Sequence, residues 1–281
     1  MTINQTTIQN KYALIIEEKL AKFIPKNELS AAIKYSLLDG GKRFRGSLCY
    51  QITDIFKVNT NLVHSSSCAL EMIHAYSLIH DDLPSMDNDD TRRGKPTSHK
   101  KFDETTAILT GDGLQALAFK IISFDEGLEG EIKIKLLQIL TNASFEMVLG
   151  QQLDTQSTKK TTLNELKIIN KLKTGALLKA SVLMAGIISK VDDKTYKILT
   201  DFADNLATAY QVQDDSFDGK SIAQIGKTNN SNKITFVDLL GIDEATKYYQ
   251  DLYDKALIEL KKITNSNKLQ DLVLIMKNRS F

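Results

Sequence analysis

The chain has 281 residues, of which 42% are hydrophobic and 25% are charged, a composition typical of a folded globular protein. This composition excludes a mainly disordered, collagen-like or low-complexity chain. Because 36 basic residues are balanced by 35 acidic ones, the chain lacks the basic surplus that nucleic-acid binding needs, and we expect no nucleic-acid partner.

The first twenty residues lack the uninterrupted apolar segment of a signal peptide. No apolar run reaches the roughly 20 residues that a membrane span requires, so we expect no stable membrane anchor. Cys49 and Cys68 do not form a C-x-x-C pair, which argues against a zinc ribbon or a disulfide scaffold. These features predict a cytoplasmic location.

Hydrophobic spacing predicts long α-helices. The three prolines, Pro25, Pro84 and Pro96, all lie at or before residue 96, so the rest of the chain is free of the strongest helix breaker. Strand-like alternation is scarce. Apolar side chains recur at helical spacing at Tyr12, Ile15, Ile16, Leu20, Phe23, Ala69, Met72, Ile73, Tyr76, Ile79, Phe202, Leu206 and Tyr210.

These patterns predict an all-α fold, a single domain over residues 1–281 that forms one large helical bundle of about ten helices. Turn-forming residues mark the expected breaks between helices. The stretch 219–233, which is rich in Asn, Lys, Ser and Gly, is the best candidate for a mobile loop.

Near the N-terminus, the segment GGKRFR at residues 40–45 places Lys42, Arg43 and Arg45 at a predicted helix start. Flexible glycines and the exposed N–H groups of a first helical turn favour a bound anion. A solvated basic surface is the alternative explanation for any one of these residues.

The most unusual segment is HDDLPSMDNDD, residues 80–90, in which five aspartates occur without a single lysine or arginine. Asp81 and Asp82 end a helix predicted to begin near Leu62. Acidic groups at a helix C-terminus are unfavourable by about 0.3–1 kcal/mol each. Local stability therefore does not explain these aspartates, whereas a bound cation does.

Candidate anion ligands flank this acidic segment. Arg92 and Arg93 follow it directly, and they either bind a phosphate group or form a structural ion pair with the aspartates. His74 precedes the acidic segment on an apolar helix face. It is either an anion ligand or a core histidine whose ring is hydrogen-bonded within the protein.

A second acidic segment is QVQDDSFD, in which Gln211, Asp214 and Asp218 share one helical face. Carboxylates without cysteine suit Mg²⁺, Ca²⁺ or Mn²⁺. Mg²⁺ typically takes one or two carboxylates and completes its shell with water and phosphate oxygens, so two clusters predict a diphosphate held through several Mg²⁺ ions. A solvated acidic helix end is the alternative for either cluster alone.

At these residues the chain resembles the trans-prenyltransferases, or short-chain isoprenyl diphosphate synthases, and most closely their bacterial farnesyl diphosphate-forming members. The segments that match in order are GGKR, LEMIHAYSLIHDD, RRGKPTSH, AILTGDGLQALAF, GQQLD, KTGALL and QVQDDSFD. The resemblance implies a bundle of long helices around a deep central cavity, and a homodimer.

The resemblance also implies a set of site residues. Three Mg²⁺ ions per active site, with Mn²⁺ as a substitute, would be held by Asp81, Asp82, Asp87, Asp214, Asp215 and Asp218. The allylic diphosphate, dimethylallyl or geranyl, would be bound by Arg92, Lys173, Thr174, Gln211, Lys227 and Lys233. Isopentenyl diphosphate would be bound by Gly41, Lys42, Arg45, His74 and Arg93. The groups implied to act in catalysis itself are Asp81, Asp82, Asp87, Lys173, Thr174, Gln211 and Asp214.

The implied product is (2E,6E)-farnesyl diphosphate, with geranylgeranyl or geranyl diphosphate as the alternatives. Tyr76 and Ser77 would set the product length, because the bulky Tyr76 can block the cavity floor. A terpene cyclase is a further alternative. The second set of basic residues argues against it, because a cyclase needs only one diphosphate site. A non-catalytic subunit is equally remote, because both acidic segments are intact.

Two positions and one stretch of the chain depart from the family pattern. Gly46 stands where members usually carry proline, and Ser216 stands where they carry an apolar residue. The stretch after Asp218 is shortened, so that Lys227 and Lys233 lie only six residues apart.

Overall fold

The computed structural model describes residues 3–38, 40–225 and 234–279, and within them the all-α prediction is confirmed. The helices are α1 (Ile3–Phe23), α2 (Ser30–Leu38), α3 (Phe44–Ile55), α4 (His64–Asp81), α5 (Ser98–Lys101), α6 (Glu104–Ser123), α7 (Gly130–Thr155), α8 (Leu163–Asn170), α9 (Ala176–Ile188), α10 (Asp193–Ile225), α11 (Phe236–Leu240), α12 (Ile242–Lys261) and α13 (Asn267–Lys277). A 3₁₀ turn, Thr60–Val63, precedes α4, and a π-helical segment, Lys171–Gly175, joins α8 to α9.

The chain forms two compact units. The first comprises residues 1–141 with 187–189, and the second comprises residues 142–186 with 190–281. The prediction of one domain over residues 1–281 stays a prediction. Among the described residues, no helix is both long enough and apolar enough to cross a membrane.

In the first unit, α4 is the central helix and ends at Asp81, as the hydrophobic pattern predicts. It packs against α6 at Gly111. A methyl group there would lie 2.1 Å from Nε2 of His80, so only glycine lets the two helices approach this closely. The His80 ring fills the space and contacts the carbonyl oxygen of Ile108 at 3.0 Å.

The start of α3 is fixed from inside the first unit. Arg43 is 4% exposed, adopts a left-handed backbone with φ of 46°, and pairs with Glu17 at 2.5 Å and with Glu71 at 3.7 Å. Glu71 in turn accepts the backbone N–H of Gly46 at 2.9 Å, which supplies a carboxylate to the helix N-terminus. The glycine at this position therefore keeps an N–H group that proline lacks.

The turn after the acidic segment is a short antiparallel hairpin, β1 (Thr91–Arg92) with β2 (Lys95–Pro96). Its two turn residues, Arg93 and Gly94, have φ of 53° and 76°. Positive φ at both central residues is typical of the turns that join two-residue hairpins. The sequence analysis did not predict this hairpin. Its four paired residues are too few to produce a strand-like alternation of apolar and polar residues.

In the second unit, α10 is longer than the sequence pattern predicts. The break expected from Gly219 onward is wrong for residues 219–225, which continue the helix to Ile225. A single glycine inside a helix costs only about 1 kcal/mol relative to alanine, which the flanking helix-compatible residues offset. The rest of the expected loop, residues 226–233, lies outside the described residues.

Candidate active site

An arginine cluster surrounds His74 in the first unit. His74 is half-buried, and burial together with the positive charges of Arg45 and Arg93 holds its pKa well below the usual range. Arg92 and Arg43 lower the pKa further. His74 is therefore neutral near pH 7, in a field of guanidinium groups that favours an anion.

The glycine pair predicted to bind an anion lies beside this cluster. Gly40 and Gly41 have φ of 109° and 115°, a region that side chains rarely adopt. Nη1 of Arg93 donates to the carbonyl oxygen of Gly40 at 2.8 Å. A methyl group on Gly41 would lie 3.1 Å from the same nitrogen. Thus the structure brings Gly41, Arg45, His74 and Arg93 together, with Lys42 exposed next to Gly41.

Within the first acidic segment, the aspartates divide into distinct environments. Asp82 is 3% exposed, and both of its oxygens accept from Nε of Arg92 at 2.8 Å. Asp90 lies 3.0 Å from Lys100 at the surface. Asp81 is half-buried and Asp87 is exposed, and the backbone N–H of Asp87 donates to the carbonyl oxygen of Asp81 at 2.9 Å.

The sequence left two alternatives for Arg92, a structural ion pair and a contact with phosphate. The bond with Asp82 is such an ion pair. That hydrogen bond also raises the pKa of Arg92, although burial alone would lower it. A guanidinium has five N–H donors, and the contacts with Asp82 use Nε and Nη2. The pair therefore fixes the orientation of Arg92 without excluding a phosphate contact through the same group.

The two residues predicted to set product length differ in burial. Tyr76 is 7% exposed, and its ring meets that of His80 edge-on, with centroids 5.3 Å apart. Ser77 is half-buried, and its hydroxyl donates to the carbonyl oxygen of His74 at 2.9 Å. Of the two, only Tyr76 carries a bulky ring, and that ring packs on the His80 ring that contacts α6.

In the second unit, α7 crosses the π-helical segment at Gly150. A methyl group on Gly150 would lie 2.2 Å from the backbone nitrogen of Lys173. One helical turn later, Asp154 accepts a hydrogen bond from Nζ of Lys173 at 2.6 Å. This contact explains the GQQLD segment, because its glycine and aspartate position Lys173 and the adjacent Thr174. Single π-helical turns occur frequently at functional sites.

Gln151 is a residue that the sequence interpretation did not select. Its side-chain oxygen and nitrogen are both buried, and neither has a hydrogen-bond partner in the described part of the chain. Buried amides are nearly always hydrogen-bonded, so an amide without a protein partner is suited to bind a substrate oxygen or a water molecule. The only sequence signal was its place in GQQLD beside Gly150.

The second acidic cluster lies on α10 as predicted. Nε2 of Gln211 donates to Oδ1 of Asp215 at 2.9 Å, and Oδ2 of Asp215 accepts the backbone N–H of Phe236 at 3.1 Å. Asp214 is bonded by Arg279. Asp218 belongs to α10, but the structure does not describe its side chain, and Lys227 and Lys233 lie outside the described residues.

These aspartates fit a divalent cation by the chemistry of their donors. They offer carboxylate oxygens, the ligands that Mg²⁺ and Mn²⁺ prefer. Within either acidic cluster of the described chain, no group of three His, Cys, Asp or Glu side chains is arranged to hold a metal ion by itself. Mg²⁺ ordinarily uses one or two carboxylates and fills its shell with water and phosphate, which matches such a set.

Comparison with known proteins agrees with this geometry. The Polyprenyl synthetase family matches residues 26–276. A farnesyl diphosphate synthase of Micrococcus luteus is 43% identical over 279 residues, covering 95% of both chains. A chloroplastic geranylgeranyl pyrophosphate synthase of Catharanthus roseus is 38% identical, covering 83% of this chain and 68% of its own. The crystal structure of an FPP/GFPP synthase from Zymomonas mobilis superimposes with a TM-score of 0.90 at 34% identity, covering 98% of this chain and all of the other.

Proposed function

Since this chain belongs to the polyprenyl synthetase family, we propose that it is a prenyltransferase that makes (2E,6E)-farnesyl diphosphate. It joins isopentenyl diphosphate first to dimethylallyl diphosphate and then to geranyl diphosphate. The observation that supports the proposal is the group of arginines near His74, in which Arg93 bonds to Gly40 and lies against Gly41. These guanidinium groups would bind an anion in addition to the cations that the aspartates would hold. A terpene cyclase would not need that second site.

Members of the family use divalent metal ions in catalysis. We propose Mg²⁺, three ions per active site, held by Asp81, Asp87 and Asp214 with help from Asp82, Asp215 and Asp218. When bound, the cations neutralise the charge that develops on the diphosphate as its bond to carbon breaks. Asp82 and Asp215 contribute mainly by orientation, because Asp82 holds Arg92, and Asp215 holds Gln211 and the first residue of α11.

The reaction has three bond changes. The C1–O bond of the allylic substrate breaks, the isopentenyl double bond attacks C1, and a proton leaves the new chain to the departing diphosphate. No side-chain base is required for that sequence. The basic groups Arg92, Lys173, Lys227 and Lys233 stabilise the leaving diphosphate, and the dipoles of Thr174 and Gln211 stabilise the allylic cation.

Gln151 adds to the allylic side of this site. It lies on α7 next to Gly150, where the helix contacts the segment that carries Lys173 and Thr174. Its unpartnered amide provides one donor group and one acceptor for a substrate oxygen or a bridging water.

The isopentenyl site is tested by Arg45→Ala. The variant should raise the KM for isopentenyl diphosphate by about 10- to 100-fold, since a charge-assisted hydrogen bond to a phosphate is lost. The KM for geranyl diphosphate should change less. Lys101→Ala, which removes a charge from an exposed position of the same unit, serves as the control and should leave both constants unchanged. A larger rise in the allylic KM would reverse the two sites.

Product length is tested by Tyr76→Ala. Removing the buried ring should open the floor of the prenyl cavity and shift the product from C15 toward C20 or longer, which chromatography of the dephosphorylated products measures. Tyr76→Phe is the matched control: it keeps the bulk and loses only the hydroxyl, so it should still make C15. A folded, active Tyr76→Ala enzyme that makes only C15 would place the floor elsewhere.

We also propose that the protein is a homodimer. On α7, Phe145, Val148, Leu149 and Leu153 lie along one face and are 64%, 45%, 42% and 38% exposed. An apolar stripe of this kind favours association with a second protein surface. Phe145→Glu should therefore give a monomer by light scattering, and a monomeric parent protein would refute the proposal.

The cytoplasmic location expected from the sequence stays a prediction.

A further inference from the structure

Arg279, which follows α13, lies against one face of α10 in the second unit. Its Nε donates to Oε1 of Gln213 at 2.8 Å, and its Nη2 donates to Oδ1 of Asp214. The guanidinium lies 5.0 Å from the ring centroid of Tyr210 and 4.9 Å from that of Phe217. Positions 210, 213, 214 and 217 share one helical face, so the guanidinium of Arg279 contacts four side chains of α10 at once.

The position of this guanidinium is fixed by a buried amide. Gln213 is fully buried, and its Nε2 donates to the carbonyl oxygen of Met276 at 2.8 Å. Its Oε1 also accepts from the hydroxyl of Tyr253 at 2.8 Å. The amide orientation is therefore determined by α12 and α13, and the acceptor for Arg279 is preorganised rather than a chance surface contact.

We propose that Arg279 is a positioning residue of the second acidic cluster. It is an internal counter-ion of Asp214, and it competes with the divalent cation for that carboxylate until a diphosphate binds. The inference rests on the proposed function, because it assumes that Asp214 is a metal ligand. It adds a residue from outside both acidic segments, and no sequence motif had pointed to it.

The competition follows from charge. A guanidinium bonded to a carboxylate oxygen repels a second cation at that carboxylate. Burial lowers the pKa of Arg279, but attraction to Asp214 and the hydrogen bond outweigh burial and raise the pKa overall, so the group stays charged. Arginine does not lose its proton in proteins, so the guanidinium must move away from Asp214 before a divalent cation can bind there. A diphosphate adds negative charge, which favours the divalent cation over the guanidinium.

The test is Mn²⁺ binding measured by electron paramagnetic resonance, without substrate, on the parent and on Arg279→Ala, Arg279→Gln and Arg279→Lys. Loss of the positive charge should tighten Mn²⁺ binding about tenfold in the Ala and Gln variants, a gain discounted for the partial exposure of the pair. Arg279→Lys keeps the charge and should stay within about threefold of the parent. With inorganic pyrophosphate present, the advantage of the Ala and Gln variants should fall below threefold.

Structural damage alone would weaken metal binding, so the sign of the change separates competition from a merely structural role. Circular dichroism identifies folded variants, and Arg279→Gln retains a donor for Gln213 if the alanine variant does not fold. In an Asp214→Asn background, the gain from removing Arg279 should disappear. Unchanged or weaker Mn²⁺ binding in the folded variants, or a gain that persists in the Asp214→Asn background, would overturn the proposal.

The outcome is separable from that of the proposed function. A parent enzyme that makes farnesyl diphosphate, with no tightening in the Arg279 variants, refutes only the role of Arg279. A parent that makes no prenyl product refutes the proposed function, whatever the Mn²⁺ titration shows.

Discussion

Asp81→Asn and Asp214→Asn should each lower turnover by about three orders of magnitude or more, while the circular dichroism spectrum stays unchanged. Each change keeps the shape of the side chain and removes the charge that holds a cation against the leaving diphosphate, an interaction realised mainly as the C–O bond breaks. Because the loss falls on the transition state, kcat should drop while the KM values change little. Steady-state kinetics with geranyl and isopentenyl diphosphate measure both constants.

Asp90→Asn is the matched control for the first cluster. Asp90 belongs to the same acidic segment, but it pairs with Lys100 at 3.0 Å on the surface, and its side chain is 73% exposed. An exposed ion pair contributes about 0–1 kcal/mol, so neither activity nor stability should change noticeably. Near-normal turnover in Asp81→Asn or Asp214→Asn would contradict the assignment of these aspartates as metal ligands.

Gly150→Ala should be the most damaging small substitution in the second unit. The added methyl group would lie 2.2 Å from the backbone nitrogen and 2.6 Å from Cα of Lys173. Because backbone atoms cannot rotate away, α7 and the π-helical segment must separate, which displaces Lys173 and Thr174 together. Overpacking of this kind costs about 1–3 kcal/mol. We expect the melting temperature to fall by roughly 5–10 °C and kcat to fall by about 100-fold.

Gly130→Ala provides the comparison on the same helix. A methyl group at Gly130 meets nothing within 4 Å, so this variant should be neutral or slightly stabilised. Differential scanning calorimetry and steady-state kinetics on the two variants separate the contact at Gly150 from a general effect of replacing glycine in α7. A Gly150→Ala enzyme with parental stability and turnover would show that the contact does not position Lys173.

The sequence predicted features that depend on local periodicity. The apolar repeat ahead of Asp81 placed the end of α4 correctly, and the spacing of Gln211, Asp214 and Asp218 correctly implied one helix. Glycine was a poorer guide. Gly40 and Gly41 end a helix and require positive φ, whereas Gly219 lies inside α10. The sequence alone does not distinguish a glycine needed for its backbone from one that a helix tolerates.

Features that depend on tertiary contact were beyond the sequence. Arg43 resembled a third phosphate ligand until the structure showed it buried between Glu17 and Glu71. The GQQLD segment carried little information until Gly150 and Asp154 were seen against Lys173. Arg279 and Asp214 are 65 residues apart, so no local pattern connects them. Each of these roles arises from packing between helices distant in sequence.

The central claim is that this protein makes farnesyl diphosphate, and one assay tests it directly. Purified protein with Mg²⁺ is incubated with dimethylallyl diphosphate and excess isopentenyl diphosphate, and the dephosphorylated products are separated by chain length. We predict a predominantly C15 alcohol, (2E,6E)-farnesol, with geraniol as a transient intermediate and no product when Mg²⁺ is chelated. A main product of C10 or C20, or no condensation with Mg²⁺ and both substrates present, would contradict the account.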